Sequence, residues 1–162
     1  MANYKIVISG YYGFNNAGDE AMLSAILQAL NRTFHSPDIT VISGSPQATA
    51  ATYGVHTVPR FSIGGILRAV FSSDLIISGG GSLLQDVTSW KSMIYYLSII
   101  TLGVLFRKQV FLYSQGIGPV RYRGIRIILK HVLNHVDAIT VRDKESKGFL
   151  QRLGVRRKIY TT

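Results

Sequence analysis

The chain has 162 residues, of which 47% are hydrophobic and 16% are charged, and its formal net charge is +10. This composition excludes a disordered chain and predicts one globular domain that is long enough to bury a core. The sequence has no cysteine, which excludes a disulfide framework and a thiolate metal site. No signal peptide is recognised before the first apolar run, so we expect a cytoplasmic location.

Positive charge is concentrated toward the C-terminal end. Of the 18 Lys and Arg residues, 13 lie at or after Arg107, where three of the eight acidic residues lie. This asymmetry predicts an anionic partner: a phosphorylated substrate, nucleic acid or an anionic membrane surface. Basic residues on solvent-exposed helix faces would explain much of this charge asymmetry equally well. Nucleic acid is not expected, because the basic residues are not interleaved with an aromatic platform of the kind that single-strand binders use.

Apolar runs alternate with helix-forming segments along the chain. The predicted strands are 4–9, 39–43, 56–58 (ended by Pro59), 74–78, 109–114, 138–141 and a start at 158–161. The predicted helices are 18–32, 46–53 with Ser45 as N-cap, 63–71, 91–108, 121–136 and 144–153. This alternation predicts an α/β fold, with a Rossmann-like, mostly parallel sheet covered by helices on both faces.

Two of the predicted helices bear on membrane contact. The apolar stretch 93–106 is shorter than the roughly 20 residues that span a bilayer, so a buried or interface helix is expected. The helix over 121–136 is predicted to be amphipathic. Its basic residues are Arg121, Arg123, Arg126 and Lys130, and the apolar residues that accompany them are Ile127, Ile128, Val132 and Leu133. Such a helix suits peripheral contact with an anionic membrane.

Four loops that follow predicted strands are rich in glycine or carry polar groups: 10–20, 79–86, 115–119 and 142–146. In a parallel sheet the loops that follow strands emerge at the same edge, where ligands bind near a switch in strand order. We therefore expect these four loops to meet along one rim. Their coincidence is a more specific signal than any one of them.

The first of these loops, GYYGFNNAGDE, holds candidate site residues but matches no phosphate-binding fingerprint. Its glycine spacing is not G-x-G-x-x-G, and no Gly-Lys-Ser/Thr closes a Walker A loop. Asn16 is predicted to cap the following helix, with Asp19 as its third residue. For Asp19 and Glu20 two interpretations stay open: helix capping alone, or hydroxyl binding and base catalysis.

Four motifs in order, GYYGFNNAGDEAML, GGGSLLQD, SQGIGP and AITVRDKES, resemble the polysaccharide pyruvyl transferase family, and most closely its bacterial cell-surface-anchoring type. The resemblance covers essentially all of 1–162 and implies the N-terminal Rossmann-like domain of a GT-B-like enzyme with two domains. The sequence ends at the start of a strand, RRKIYTT, so we expect a C-terminal domain beyond it and an inactive fragment without it.

The resemblance also implies the reaction. Family members transfer a pyruvyl group from phosphoenolpyruvate to two hydroxyls of one sugar, forming a ketal, with phosphoenolpyruvate as donor substrate and no cofactor. The implied acceptor is a β-linked N-acetylmannosamine in a lipid-linked secondary cell-wall polymer, and the product is the sugar that surface-layer homology domains grip. The acceptor linkage, the lipid carrier and the oligomeric state stay open.

Arg142 matches the arginine that ends a strand in this family, so the resemblance implies that it binds the carboxylate or phosphate of the donor. An ion pair with Asp143 or Glu145 is the alternative. Asp19 and Glu20 are the nearby acids for taking protons from the sugar hydroxyls or orienting the sugar. The candidate substrate-binding residues are Gly13, Asn16, Gly18, Gly79, Gly80, Gly81, Gln115 and Gly116.

The backbone amides of the three consecutive glycines can reach an oxyanion or a sugar, or the glycines form only a tight turn. Two other functions are alternatives to pyruvyl transfer. One is the acceptor-binding half of a GT-B glycosyltransferase that uses a sugar nucleotide. The other is a non-catalytic module that binds an anionic polymer or membrane through the basic helix.

Overall fold

The structure is a computed structural model, and it describes residues 3–86 and 89–162. Strands and helices alternate strictly through this part of the chain. The strands are β1 (Lys5–Ser9), β2 (Asp38–Ser43), β3 (His56–Pro59), β4 (Leu75–Gly79), β5 (Gln109–Gln115), β6 (Ala138–Val141) and β7 (Ile159–Thr161). The helices are α1 (Ala17–Thr33), α2 (Pro46–Tyr53), α3 (Ile63–Ser72), α4 (Trp90–Leu105), α5 (Arg123–Leu133) and α6 (Lys144–Leu153).

The seven strands form one sheet in the order β3-β2-β1-β4-β5-β6-β7, and every neighbouring pair is parallel. This confirms the predicted α/β, Rossmann-like fold. The chain builds outward from β1 to β3, then crosses back to β4 and builds outward in the other direction. The strand order therefore switches between β1 and β4, which is where open parallel sheets bind their ligands.

Helices cover both faces of the sheet, as predicted. On one face, Ile6 and Ile8 of β1 pack with Leu23 and Ile26 of α1 in a buried cluster. The larger cluster lies on the other face, where α3 to α6 pack on the strands. Because both faces of the sheet are covered, the central strands are continuous runs of apolar residues such as Val and Ile, and they do not alternate between apolar and polar residues.

Helix α4 is an ordinary core helix along most of its length. Its buried residues are Met93, Tyr96, Leu97, Ile99, Ile100 and Gly103. No helix within residues 3–86 and 89–162 is long and apolar enough to cross a membrane. The prediction of a buried helix over this stretch is confirmed, although α4 ends at Leu105 rather than Lys108.

Helix α5 is shorter than predicted. It begins at Arg123, and the backbone amides of the two residues before it, Arg121 and Tyr122, donate to the Asp86 carboxylate. Its core-facing residues are Leu129, Val132 and Leu133, whereas Ile127 is 64% and Ile128 is 52% exposed. The i, i+3, i+4 stripe through Leu129 faces the core and turns both isoleucines toward solvent.

Ser45 and Pro46 occupy the predicted N-cap and first helical positions of α2, although the Ser45 side chain makes no capping hydrogen bond there. One local prediction is corrected. Pro59 does not stop β3 but is its last residue. Proline is tolerated there because β3 is an edge strand of the sheet, where a missing N–H leaves no ladder bond unmade.

Candidate functional site

The four predicted loops meet at the carboxyl edge of the sheet. They follow β1, β4, β5 and β6, which are adjacent in the sheet. The loop after β5 is bonded to its neighbours on both sides: the Gly116 amide donates to the Gly81 carbonyl (3.0 Å), and the Ile117 amide donates to Ser146 Oγ (3.0 Å). The expected rim is confirmed, and hydrogen bonds from two backbone amides join the loops after β4, β5 and β6.

Asn16 caps α1 as predicted. Its Oδ1 accepts hydrogen bonds from the amides of Gly18 (3.1 Å) and Asp19 (3.4 Å), two of the donors that a helix start leaves without an intrahelical partner. The Gly18 amide is therefore engaged in the cap. In this structure Asn16 and Gly18 shape the start of α1.

The two adjacent acids of α1 lie in different surroundings. Glu20 ties the first loop to α2, because its Oε1 accepts from the Gly13 amide (2.8 Å) and its Oε2 accepts from the Tyr53 hydroxyl (2.9 Å). Both carboxylate oxygens thus have partners within the protein, and the Gly13 amide is used as well. This arrangement gives Glu20 a structural part, in contrast to Asp19 beside it.

Asp19 faces a cavity at the switch point between β1 and β4. The cavity is lined by Tyr11, Asp19, Ser82, Leu83, Gln85, Ser89, Ser92 and Tyr96. Partial burial, and secondarily the negative charge of Glu20, raise the pKa of the Asp19 carboxyl above that of an ordinary aspartate. A carboxylate with a raised pKa beside a cavity is better suited to accept a proton than a solvated one.

Gly81 lets the loop after β4 approach that carboxyl. A Cβ at Gly81 would lie 2.9 Å from Asp19 Oδ1, and the residue has a φ of +74°. The two preceding glycines are engaged elsewhere: the Gly80 amide donates to the Tyr113 carbonyl (2.9 Å), and the Gly79 carbonyl accepts from the buried Tyr12 hydroxyl (3.2 Å). Of the three glycines, Gly81 is thus the one in contact with a candidate catalytic group.

Arg142 lies in a second cavity of about 240 Å³ on the β5–β6 side of the rim. Its Nε donates to Asp143 Oδ2 (3.2 Å), and its backbone amide donates to the Gln115 carbonyl (3.2 Å). The guanidinium crosses Gly116, where a Cβ would lie 2.7 Å from Nε. A residue with a side chain at position 116 would therefore clash with the Arg142 guanidinium in this position.

The ion pair with Asp143, the alternative to donor binding by Arg142, is present. Asp143 is also the N-cap of α6, because its Oδ1 accepts from the Ser146 amide (2.6 Å). That bond to Ser146, and more weakly the neighbouring Arg142, lower the pKa of the Asp143 carboxyl. The pairing uses Nε, and within residues 3–86 and 89–162 no other hydrogen bond or ion pair of the Arg142 side chain is present, so its terminal nitrogens have no protein partner there.

Gln115 lies beneath the rim rather than on it. Its side chain is completely buried, and its Nε2 donates to Ser78 Oγ (2.6 Å) at the end of β4. The amide therefore ties β5 to β4 under the loops that carry the cavities. Its side chain is placed to support the rim and lines neither cavity.

Comparison with known protein families decides the identity of the chain. The model of the polysaccharide pyruvyl transferase family matches residues 16–162, which include all four rim motifs from Asn16 onward. The chain belongs to this family. No curated protein matches it significantly. Among solved structures, it is similar to an archaeal fructose 1,6-bisphosphate aldolase at 14% identity and a TM-score of 0.37, over 98% of this chain and 74% of the other. That likeness is too weak to carry an argument.

In this member of the polysaccharide pyruvyl transferase family, an acid and a cation lie in neighbouring cavities. Ser82 lines both the Asp19 cavity and the Arg142 cavity, so the two are neighbours along the rim. A Cβ at Gly116 would lie 2.8 Å from Ser82 Oγ and 2.8 Å from Arg142 Cζ, which brings the serine up to the guanidinium. No three His, Cys, Asp or Glu side chains of the described residues are grouped as metal ligands.

Three residues that line these cavities, Ser82, Phe149 and Arg152, were not individually predicted from the sequence. Ser82 follows the three glycines directly and could have been found from that position. Phe149 and Arg152 line the Arg142 cavity from α6, together with Glu145. Their spacing of four and three residues along α6 places them on one helix face, a signal that is visible in the sequence once the rim is taken as the site.

Proposed function

We propose that this family member transfers the pyruvyl group of phosphoenolpyruvate to two hydroxyls of one sugar in a lipid-linked cell-wall polysaccharide, forming a ketal. The chain supplies one wall of the site, and a second Rossmann-like domain of a GT-B-like enzyme supplies the other. The observation that carries the proposal is the pair of neighbouring cavities, one with Arg142 and the other with Asp19, joined at Ser82.

Arg142 is the group of its cavity that suits the donor. Phosphoenolpyruvate carries a carboxylate and a phosphate, and a guanidinium binds either group through two parallel hydrogen bonds. Arg152 adds a second positive charge to the lining, which also contains the carboxylates of Asp143 and Glu145. The N-terminus of α6 opens at this cavity, and its partial positive charge favours an anion there, although Asp143 already occupies the cap.

The acceptor hydroxyls match the Asp19 cavity. In ketal formation, two sugar oxygens form bonds to C2 of the pyruvyl group and the bond from C2 to the phosphate oxygen breaks. One hydroxyl proton balances the CH₃ group formed at C3, and the other leaves with inorganic phosphate. We assign to Asp19 the acceptance of a hydroxyl proton, and to the second wall the acid that protonates C3.

The proposal is tested with the full-length protein, phosphoenolpyruvate and an oligosaccharide that contains β-linked N-acetylmannosamine. We expect phosphate release in proportion to a mass gain of one pyruvyl group on the saccharide. A UDP-sugar offered instead should neither bind competitively with phosphoenolpyruvate nor react. Binding of the UDP-sugar with no response to phosphoenolpyruvate would replace this proposal by the glycosyltransferase alternative.

We also propose that the protein works at the cytoplasmic face of an anionic membrane, where a lipid-linked acceptor lies. The supporting observation is an apolar groove between α4 and α5, lined by Trp90, Ile94, Tyr122, Arg123, Gly124, Ile125 and Ile128. Trp90 and Tyr122 are 46% and 56% exposed, and aromatic residues of this kind favour the membrane interface. Arg123 adds a positive charge to the groove itself, and Arg121, Arg126 and Lys130 are further exposed basic residues of the same segment. Of these, Arg126 lies over the Phe149 ring of α6, 5.9 Å from its centroid.

Vesicle co-sedimentation tests the membrane proposal. Each basic residue near an anionic surface contributes about 1 kcal/mol, so changing all four to Gln should abolish binding at physiological salt. The matched control removes four exposed positive charges elsewhere, by changing Lys144, Arg156, Arg157 and Lys158 to Gln. We expect the control to retain most binding, and both proteins to ignore neutral vesicles. Equal losses in the two variants would show only a general charge effect.

A further inference from the structure

Four aromatic rings and one arginine form a strip along the rim, from the Asp19 cavity toward β3. We call it the aromatic strip, and it consists of Tyr11 and Phe14 from the loop after β1, Arg60 and Phe61 after β3, and Tyr95 of α4. Tyr11 and Phe14 are stacked, with ring centroids 4.3 Å apart. The Arg60 guanidinium lies 5.0 Å from the Phe14 ring and 4.9 Å from both the Phe61 and Tyr95 rings.

Packing explains only part of this strip. The Tyr95 hydroxyl donates to the Arg60 carbonyl (2.8 Å), which joins the end of β3 to α4. Phe61, however, is 79% exposed, and Tyr11 and Phe14 are each 37% exposed. Exposed aromatic rings that cluster at one edge of a soluble domain indicate a binding surface rather than core packing.

Arg60 is a hydrogen-bond donor within the strip. No acidic side chain of the described residues forms an ion pair with it, and its buried Nε has no hydrogen-bond partner among them. Its charge is balanced instead by the faces of three rings, an arrangement that holds the side chain in one place. A fixed guanidinium among exposed rings provides donors for hydroxyl oxygens beside flat apolar surfaces.

The strip is continuous with the proposed acceptor cavity. Tyr11 lines that cavity together with Asp19, and it also stacks on Phe14. The face of an aromatic ring carries partial negative charge, and it attracts the C–H groups on the flat face of a pyranose ring. Phosphoenolpyruvate is small and has no such face, so the strip does not match the donor.

We propose that the aromatic strip is a saccharide subsite, which binds sugar residues of the acceptor polymer next to the one that receives the pyruvyl group. This inference rests on the proposed function, because the sugar that occupies the Asp19 cavity determines which neighbouring sugars of the polymer lie on the strip. The expected ligand is an oligosaccharide of at least two residues, recognised by ring stacking and by hydroxyl bonds to Arg60.

The test uses the full-length protein with Phe61→Ala, since the exposed ring can be removed with little effect on folding. The matched control is Phe71→Ala, a ring that is 66% exposed on α3 and packs edge-on against Phe106. The two acceptors are a tetrasaccharide that contains β-linked N-acetylmannosamine and the methyl glycoside of N-acetylmannosamine. Phe61→Ala should raise the KM for the tetrasaccharide about tenfold, with the KM values for the methyl glycoside and phosphoenolpyruvate unchanged. Phe71→Ala should change none of the three.

Calorimetric titration of the tetrasaccharide without phosphoenolpyruvate separates this inference from the proposed function. Saccharide binding that weakens in Phe61→Ala supports the strip even where no pyruvyl transfer is found. An unchanged tetrasaccharide affinity and KM in Phe61→Ala, or an equal loss in Phe71→Ala, would overturn the subsite. Binding of UDP that depends on Phe61, in place of the saccharide, would also overturn it.

Discussion

Replacing Asp19 by Asn in the full-length protein should lower kcat by about a hundredfold or more while leaving the melting temperature unchanged or slightly higher. The amide keeps the shape of the side chain but cannot accept a proton from a sugar hydroxyl. The folded state raises the pKa of this carboxyl, so the ionised form is disfavoured by folding. Removing that charge therefore should not destabilise the protein at neutral pH.

The matched control is Glu20→Gln, one residue away on the same helix. Glu20 accepts bonds from the Gly13 amide and the Tyr53 hydroxyl, and weakening these charge-assisted bonds should lower the free energy of unfolding by about 1 kcal/mol. Turnover should fall much less than in Asp19→Asn. The opposite pattern, with normal turnover in Asp19→Asn and lost turnover in Glu20→Gln, would show that Glu20 and not Asp19 is the catalytic acid.

The pH dependence gives an independent readout of Asp19. As a base, its carboxylate must be ionised, so activity falls as the pH drops through its pKa. Because burial and the charge of Glu20 raise that pKa, the acid limb of kcat/KM should lie above the value of about 3.9 that an ordinary aspartate has. The limb should be absent from the residual activity of Asp19→Asn. A limb that persists there belongs to another group.

Replacing Arg142 by Lys should raise the KM for phosphoenolpyruvate at least about tenfold, since a bidentate charged pair contributes about 1.5–3 kcal/mol. Lysine keeps the charge but loses the planar fork, and it also loses the Nε donor that pairs with Asp143. Arg142→Ala should be more severe. Initial rates over a range of donor concentrations measure both effects, with the acceptor held saturating.

Arg157→Lys is a suitable control for Arg142, because Arg157 is also an exposed arginine whose Nε donates one hydrogen bond, to the Asn134 carbonyl (3.2 Å). It lies between α6 and β7, at the edge opposite the rim, so the donor KM should be unchanged. Wild-type kinetics in Arg142→Lys would remove Arg142 from the donor site. Similar changes in both variants would show that the effect is not specific to the rim.

The sequence by itself determined the order of strands and helices, the meeting of four loops at one edge and the cap of α1. These features follow from local patterns: apolar periodicity defines each element, and parallel strands bring their following loops to the same edge. Asn16 caps α1 because a side-chain oxygen two or three residues before a free amide needs no distant partner. The motifs that resemble the family also lie within these loops.

Only the tertiary structure decided which side chains act at the rim. Asp19 and Glu20 are neighbours in the sequence, yet one faces a cavity and the other bonds to Tyr53, because α2 packs beside only one of them. The exposure of Ile128 likewise depends on which stripe of α5 faces the core. Arg60 meets Phe14 and Tyr95 across long sequence separations, and no local pattern encodes such contacts. Side-chain direction is set by packing against distant elements, and periodicity along the chain does not contain that information.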